Sequence, residues 1–72
     1  MKPDIRSATC LVIRKDGEYL SRRMMLTGEL VWDPHLSSAW TTRDKDAAVR
    51  MARIVGGTVY LFNKVIWRTK VL

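Results

Sequence analysis

Apolar and β-branched residues run together from Ala8 to Arg14 and return from Tyr19 to Met25, with Asp16-Gly17 between the two runs. Asp and Gly both tolerate the positive φ of a type I′ turn, so this dipeptide predicts a two-residue hairpin. The turn sets the register. Lys15 faces Glu18 and Ile13 faces Leu20, one pair of opposite charge and one apolar pair. Thr27-Gly28 ends the second run. Leu30-Val31-Trp32 predicts a short third strand, stopped at Asp33-Pro34 because proline has no amide donor. Between His35 and Trp40 the pattern fades, and Ser37-Ser38 suggests a turn.

The period then changes. Ala48, Met51, Ala52 and Val55 recur at i, i+3, i+4 and i+7, the apolar stripe of a helix over residues 43–55. Thr41 or Thr42 offers the N-cap hydroxyl. Asp44 and Asp46 in the first turn and Arg50 and Arg53 toward the end match the helix dipole, and Gly56-Gly57 supplies the C-cap. Thr58 to Phe62 is apolar on both faces, as in a strand that is central or covered by the helix. Asn63-Lys64 is a candidate tight turn. From Val65 to Val71 the alternation returns, with Val65, Trp67, Thr69 and Val71 on one face and Ile66, Arg68 and Lys70 on the other. Trp67 is the tryptophan best placed for the core. The order is ββ(β)αββ. It predicts one α+β domain over residues 1–72, with a single helix packed on one face of an antiparallel sheet of four or five strands. The other face is expected to be partly exposed.

Charge adds an asymmetry. All seven acidic residues lie in the first 46 positions, while Arg50, Arg53, Lys64, Arg68 and Lys70 follow, and the net charge is +6. A basic surface attracts nucleic acid, acidic proteins or anionic lipid. The bland alternative is that the charge keeps a small protein soluble. Arg14, Lys15, Arg22 and Arg23 make one basic group on the first hairpin, and Arg68 and Lys70 make another on the last strand. If the hairpins pair, the two groups are expected to merge. Protection of edge strands by charge is an equally good account of them.

Candidate chemistry is sparse. One cysteine, Cys10, excludes an intrachain disulfide and a cysteine-based metal site, and a lone thiol inside an apolar strand is normally inert. It also fits a reducing compartment, so a cytoplasmic location is expected. His35, in a loop, has no metal-binding companion. Asp16, Asp33, Asp44 and Asp46 have structural explanations as turn, pre-proline and helix-start residues. No catalytic residues, metal ligands or cofactors are therefore expected. Met1-Lys2-Pro3-Asp4 lacks the apolar core of a signal peptide. No apolar run approaches the ~20 residues that span a bilayer, so no membrane partner is expected. Trp32, Trp40 and Trp67 are many for 72 residues. Core packing explains most such cases. The functional reading leaves Trp32 and Trp40, which flank the loop from Asp33 to Ala39, as interface anchors.

Leu30-Val31-Trp32-Asp33-Pro34, Ala39-Trp40-Thr41-Thr42 and the helix ending in Gly56-Gly57-Thr58-Val59 together resemble small phage and prophage proteins of gut-type bacteria. The resemblance spans most of residues 8–72. It implies the early hairpin and the late helix-strand-strand, and a mobile-element role; some such proteins inhibit host defence nucleases, anti-CRISPR proteins among them. Many of those inhibitors are acidic mimics of DNA, whereas this chain is basic.

These observations favour a non-catalytic module that binds and modulates a host or phage protein acting on nucleic acid. The candidate contact residues are Arg14, Lys15, Arg22, Arg23, Trp32, Trp40, Arg68 and Lys70. Direct binding of DNA or RNA is the alternative. A toxin-type ribonuclease working with Arg, Lys and Tyr19 is a third class. A homodimer is compatible with all three.

Overall fold

The computed structural model describes residues 9–63 and 68–71. Along the chain lie β1 (Thr9–Lys15), β2 (Glu18–Leu20), a one-turn helix α1 (Met24–Thr27), β3 (Trp32–Asp33), a 3-10 turn (Leu36–Ser38), α2 (Lys45–Val55), β4 (Thr58–Asn63) and β5 (Arg68–Val71). The strands form one antiparallel sheet in the order β3-β2-β1-β4-β5, so β1 is central. This is the α+β architecture the pattern predicts. The expected strand start at Ala8, the Asn63-Lys64 turn, the start of the last strand at Val65 and Ile66, and the core position of Trp67 involve positions outside the described residues.

The hairpin register is as expected. Lys15 pairs with Glu18 and Arg14 with Tyr19 across the Asp16-Gly17 turn, and both turn residues have positive φ, 52° and 80°. β4 pairs with β1 along the whole length of β4, from Thr9 opposite Asn63 to Arg14 opposite Thr58. Paired residues share a face. Leu11 and Ile13 of β1 therefore join Val59 and Leu61 of β4 beneath α2, which contributes Ala48, Ala52 and Val55. Met51 packs at the margin of that core, half-buried. On the opposite face Cys10, Val12 and Phe62 form a second, smaller cluster, closed by Ala39 and Leu36 from the loop after β3.

Three expectations are corrected. The second strand does not run from Tyr19 to Met25; it ends at Leu20, and α1 follows. Ser21 is fully buried, and its hydroxyl donates to the Ser38 carbonyl (3.4 Å) and accepts from the Arg23 amide (3.2 Å), which turns the chain out of the sheet. Met24, Met25 and Leu26, none of them branched at Cβ, suit a helical turn better than a strand, and Gly28 caps it with φ 74°. The ladder positions that β2 vacates are taken by the segment entering α2. The Trp40 amide donates to the Leu20 carbonyl (2.8 Å), and Leu11 and Thr42 exchange two backbone bonds (2.7 and 3.1 Å).

The third strand is also shorter than Leu30-Val31-Trp32 suggests: it is Trp32–Asp33, and Leu30 is exposed. Finally, the N-cap of α2 is Asp44, not a threonine. Its Oδ1 accepts from the amides of Asp46 (3.0 Å) and Ala47 (3.2 Å). Thr42 acts one step earlier, where its hydroxyl accepts from the Asp44 amide (3.1 Å) and sets the approach to the cap. A carboxylate at this position also complements the positive end of the helix dipole.

At the other end, Gly56 takes φ 76° and ψ 28°, and the Gly57 amide reaches back to the Ala52 carbonyl at 2.9 Å. Just past the end of α2, the chain runs close to β1. A Cβ on Gly57 would lie 2.5 Å from Ile13 Cγ2 and 3.2 Å from the Arg14 carbonyl oxygen. Ile13 is fully buried, so relief requires the helix end to move. Gly57→Ala is therefore expected to destabilise the domain by about 1–3 kcal/mol, the usual cost of overpacking. A thermal melt reads this directly, at ~4–8 °C per kcal/mol for a domain of this size. An unchanged melting temperature would mean that the close approach of α2 to β1 is wrong.

Candidate functional site

The face of the sheet away from α2 is only half closed. The loop from Asp33 to Ala39 covers the end bearing Cys10 and Phe62, and near the hairpin three planar side chains remain in a row. Arg14 of β1 lies between Tyr19 of β2 and Tyr60 of β4, its Cζ 5.8 Å and 5.6 Å from the two ring centroids. All three are half-buried. The local cause is register. Arg14 is paired directly with Tyr19, while Tyr60, paired with Val12, stands diagonally across from Arg14 on the same face. Both rings present their negative π faces to the guanidinium.

A shallow hollow flanks the row on each side. One, of about 410 Å³, lies between the loop and the sheet and is lined by Tyr19, Pro34, His35, Leu36, Ser37 and Thr69. The loop wall is held by the Asp33 carboxylate, which accepts from the His35 amide at 2.7 Å. The other, of about 450 Å³, lies at the hairpin end and is lined by Arg14, Lys15, Thr58 and Tyr60, with Asp16-Gly17 and Gly56 at its margin.

The expected basic groups are distributed differently. Arg14 and Lys15 are adjacent in sequence and so project to opposite faces. Lys15 lies on the α2 side, where its Nζ donates to the Val55 carbonyl (3.5 Å), at the negative end of the helix, and lies 5.8 Å from the centroid of the Trp32 ring. Arg22 and Arg23 are not in the hairpin; they form the exposed turn into α1. Beside them Met25, Leu26 and Leu30 are 69%, 87% and 56% exposed. Arg68 and Lys70 pair with Asn63 and Leu61 on the edge strand β5, on the face that carries α2. β4 separates β5 from β1, so the two basic groups do not merge. Trp32 and Trp40 are half-buried and pack against the core beneath α2.

Tyr60, Thr58 and Thr69 were absent from the residues singled out by sequence, because only the β1–β4 and β4–β5 pairings bring them to the site. Tyr19 opposite Arg14 follows from the hairpin register alone. Cys10 is buried at 5% exposure. Among the described residues no three His, Cys, Asp or Glu side chains gather where they could hold a metal ion. Nor is any helix of those residues long and apolar enough to cross a bilayer. No family model matches the chain, and no curated protein or solved structure does either.

The Arg14 stack is measurable as a coupling energy. A double-mutant cycle of Arg14→Met and Tyr19→Leu is expected to show about 0.5–1 kcal/mol of interaction in chemical denaturation, the range for a partly exposed cation–π pair. Strict additivity of the two substitutions would show that the guanidinium does not rest on the ring.

Proposed function

We propose that the protein is a non-catalytic module that binds single-stranded nucleic acid across the sheet face bearing Tyr19, Arg14 and Tyr60. The observation that carries this reading is the aromatic–arginine–aromatic row on an incompletely covered sheet, in a chain of net charge +6. Bases stack on aromatic rings and on guanidinium planes without regard to sequence, while cations follow the backbone. Both rings are anchored in strands, so little ordering is needed on binding. Duplex is a poorer fit. The four-residue α1 is too short to fill a major groove, and the outer side of α2 places Asp46 beside Arg50. Both described tryptophans pack against the core on the α2 side of the sheet, away from this row.

Fluorescence anisotropy with labelled oligo(dT) and oligo(U) tests the proposal. Affinity is expected to fall with salt, with a slope of about −0.7 for each phosphate neutralised. Tyr19→Ala and Tyr60→Ala should each weaken binding by about 5–150-fold, the equivalent of ~1–3 kcal/mol per stacked base. A matched duplex should bind less tightly than the single strand. Tyrosine variants that bind as well as the parent chain would remove this face as the site.

A second reading has its own observation. Met25, Leu26 and Leu30 protrude next to Arg22 and Arg23. Apolar side chains rimmed by arginine suit an acidic protein surface. This fits the role, implied by the phage-protein resemblance, of modulating a nucleic-acid-processing protein of the host. On this reading Leu26→Asp slows growth of a phage that depends on the protein, with folding intact, while Tyr60→Ala does not. The reverse pattern favours the strand-binding reading.

A further inference from the structure

Resting on the strand-binding reading, we infer that the hollow at the hairpin end receives the terminal phosphate monoester of the bound strand. Two cations reach this hollow from opposite sides of the sheet, Arg14 from the open face and the exposed Lys15 from the side that carries α2. Both are positioned before any ligand arrives. Tyr19 and Tyr60 hold the guanidinium, and the Val55 carbonyl and Trp32 hold the ammonium, which keeps donors to spare. The hydroxyls of Thr58 and Tyr60 add neutral donors to the lining. Space is available. A Cβ on Gly17 would meet nothing within 4 Å, and one on Gly56 would meet only Lys15 Nζ, at 3.7 Å.

The position argues for an end of the strand. The β1–β2 ladder stops at the Asp16-Gly17 turn, and among the described residues no further ring extends the stacking floor beyond it. Asp16 is the one carboxylate in the lining. Its charge opposes that of the cations and leaves the hollow a net charge near +1. A monoester, which carries the larger negative charge, is therefore favoured over the internal diester. The same chemistry serves a 5′ or a 3′ phosphate, and the test separates them.

Three otherwise identical oligonucleotides of about ten residues, within the span of a small single-strand site, are compared by calorimetry against the full chain. One has hydroxyls at both ends, one a 5′ phosphate and one a 3′ phosphate. One phosphorylated strand is expected to bind about tenfold tighter than the hydroxyl-ended strand, the gain from one charge-assisted contact. Lys15→Gln and Thr58→Val should abolish that preference, read for each variant as the ratio of its phosphorylated-strand to its hydroxyl-ended affinity. Asp16→Asn keeps the turn, because Asn-Gly suits it as well as Asp-Gly, and should enlarge the preference. Equal affinity for all three strands overturns the phosphate assignment and leaves the strand-binding reading standing. Absence of binding by any of the three overturns both.

Discussion

The pairing of β1 with β4 is the contact on which the rest of the molecule depends. It is the longest ladder in the sheet, and it joins a strand from the first hairpin to the strand that follows the helix. It also places four consecutive apolar residues, Cys10 to Ile13, at the centre of the protein with neither face exposed. Leu11 and Ile13 seat the helix, and Cys10 and Val12 seat the loop from Asp33 to Ala39. A domain this small buries only about 60% of its unfolded surface. A strand covered on both sides is the most economical core available to it.

The two coverings differ in strength, and that difference creates the candidate site. α2 lies across β1 and β4 with its apolar stripe and closes that face. The loop closes only the end where Cys10 meets Phe62. What remains open is the strip nearest the hairpin, where the strands carry Arg14, Tyr19 and Tyr60 instead of aliphatic residues. An apolar strip there would be an aggregation hazard. A cation held between two phenol rings is compatible with water.

The charges follow the same division. Lys15 neutralises the carbonyl end of α2 and Asp44 caps its amide end, so part of the ionic composition is explained by one helix. Arg22, Arg23, Arg68 and Lys70 are exposed and serve none of those contacts. They contribute to the molecule's long-range positive field, whereas Arg14 is engaged by the two tyrosine rings.

Local chemistry was legible in the residues themselves. Asp16-Gly17 determined the hairpin and its register, and with it the pairing of Arg14 with Tyr19, because a two-residue turn leaves no choice of partner. The 3.6 period determined α2, and Gly56 its end. The stretch from Tyr19 to Met25 was misread because an apolar run has the same composition whether it continues a strand or closes into one turn of helix. Only the tertiary structure decided between them, by giving the ladder beside Leu11 to Thr42 and burying Ser21. It likewise decided the N-cap, since Thr42 and Asp44 both carry suitable oxygens and the direction of chain entry selects one. The site depends on contacts of long sequence separation: Tyr60 reaches Arg14 only through the β1–β4 register, and Thr69 only through β5. Nothing in the local sequence encodes either distance.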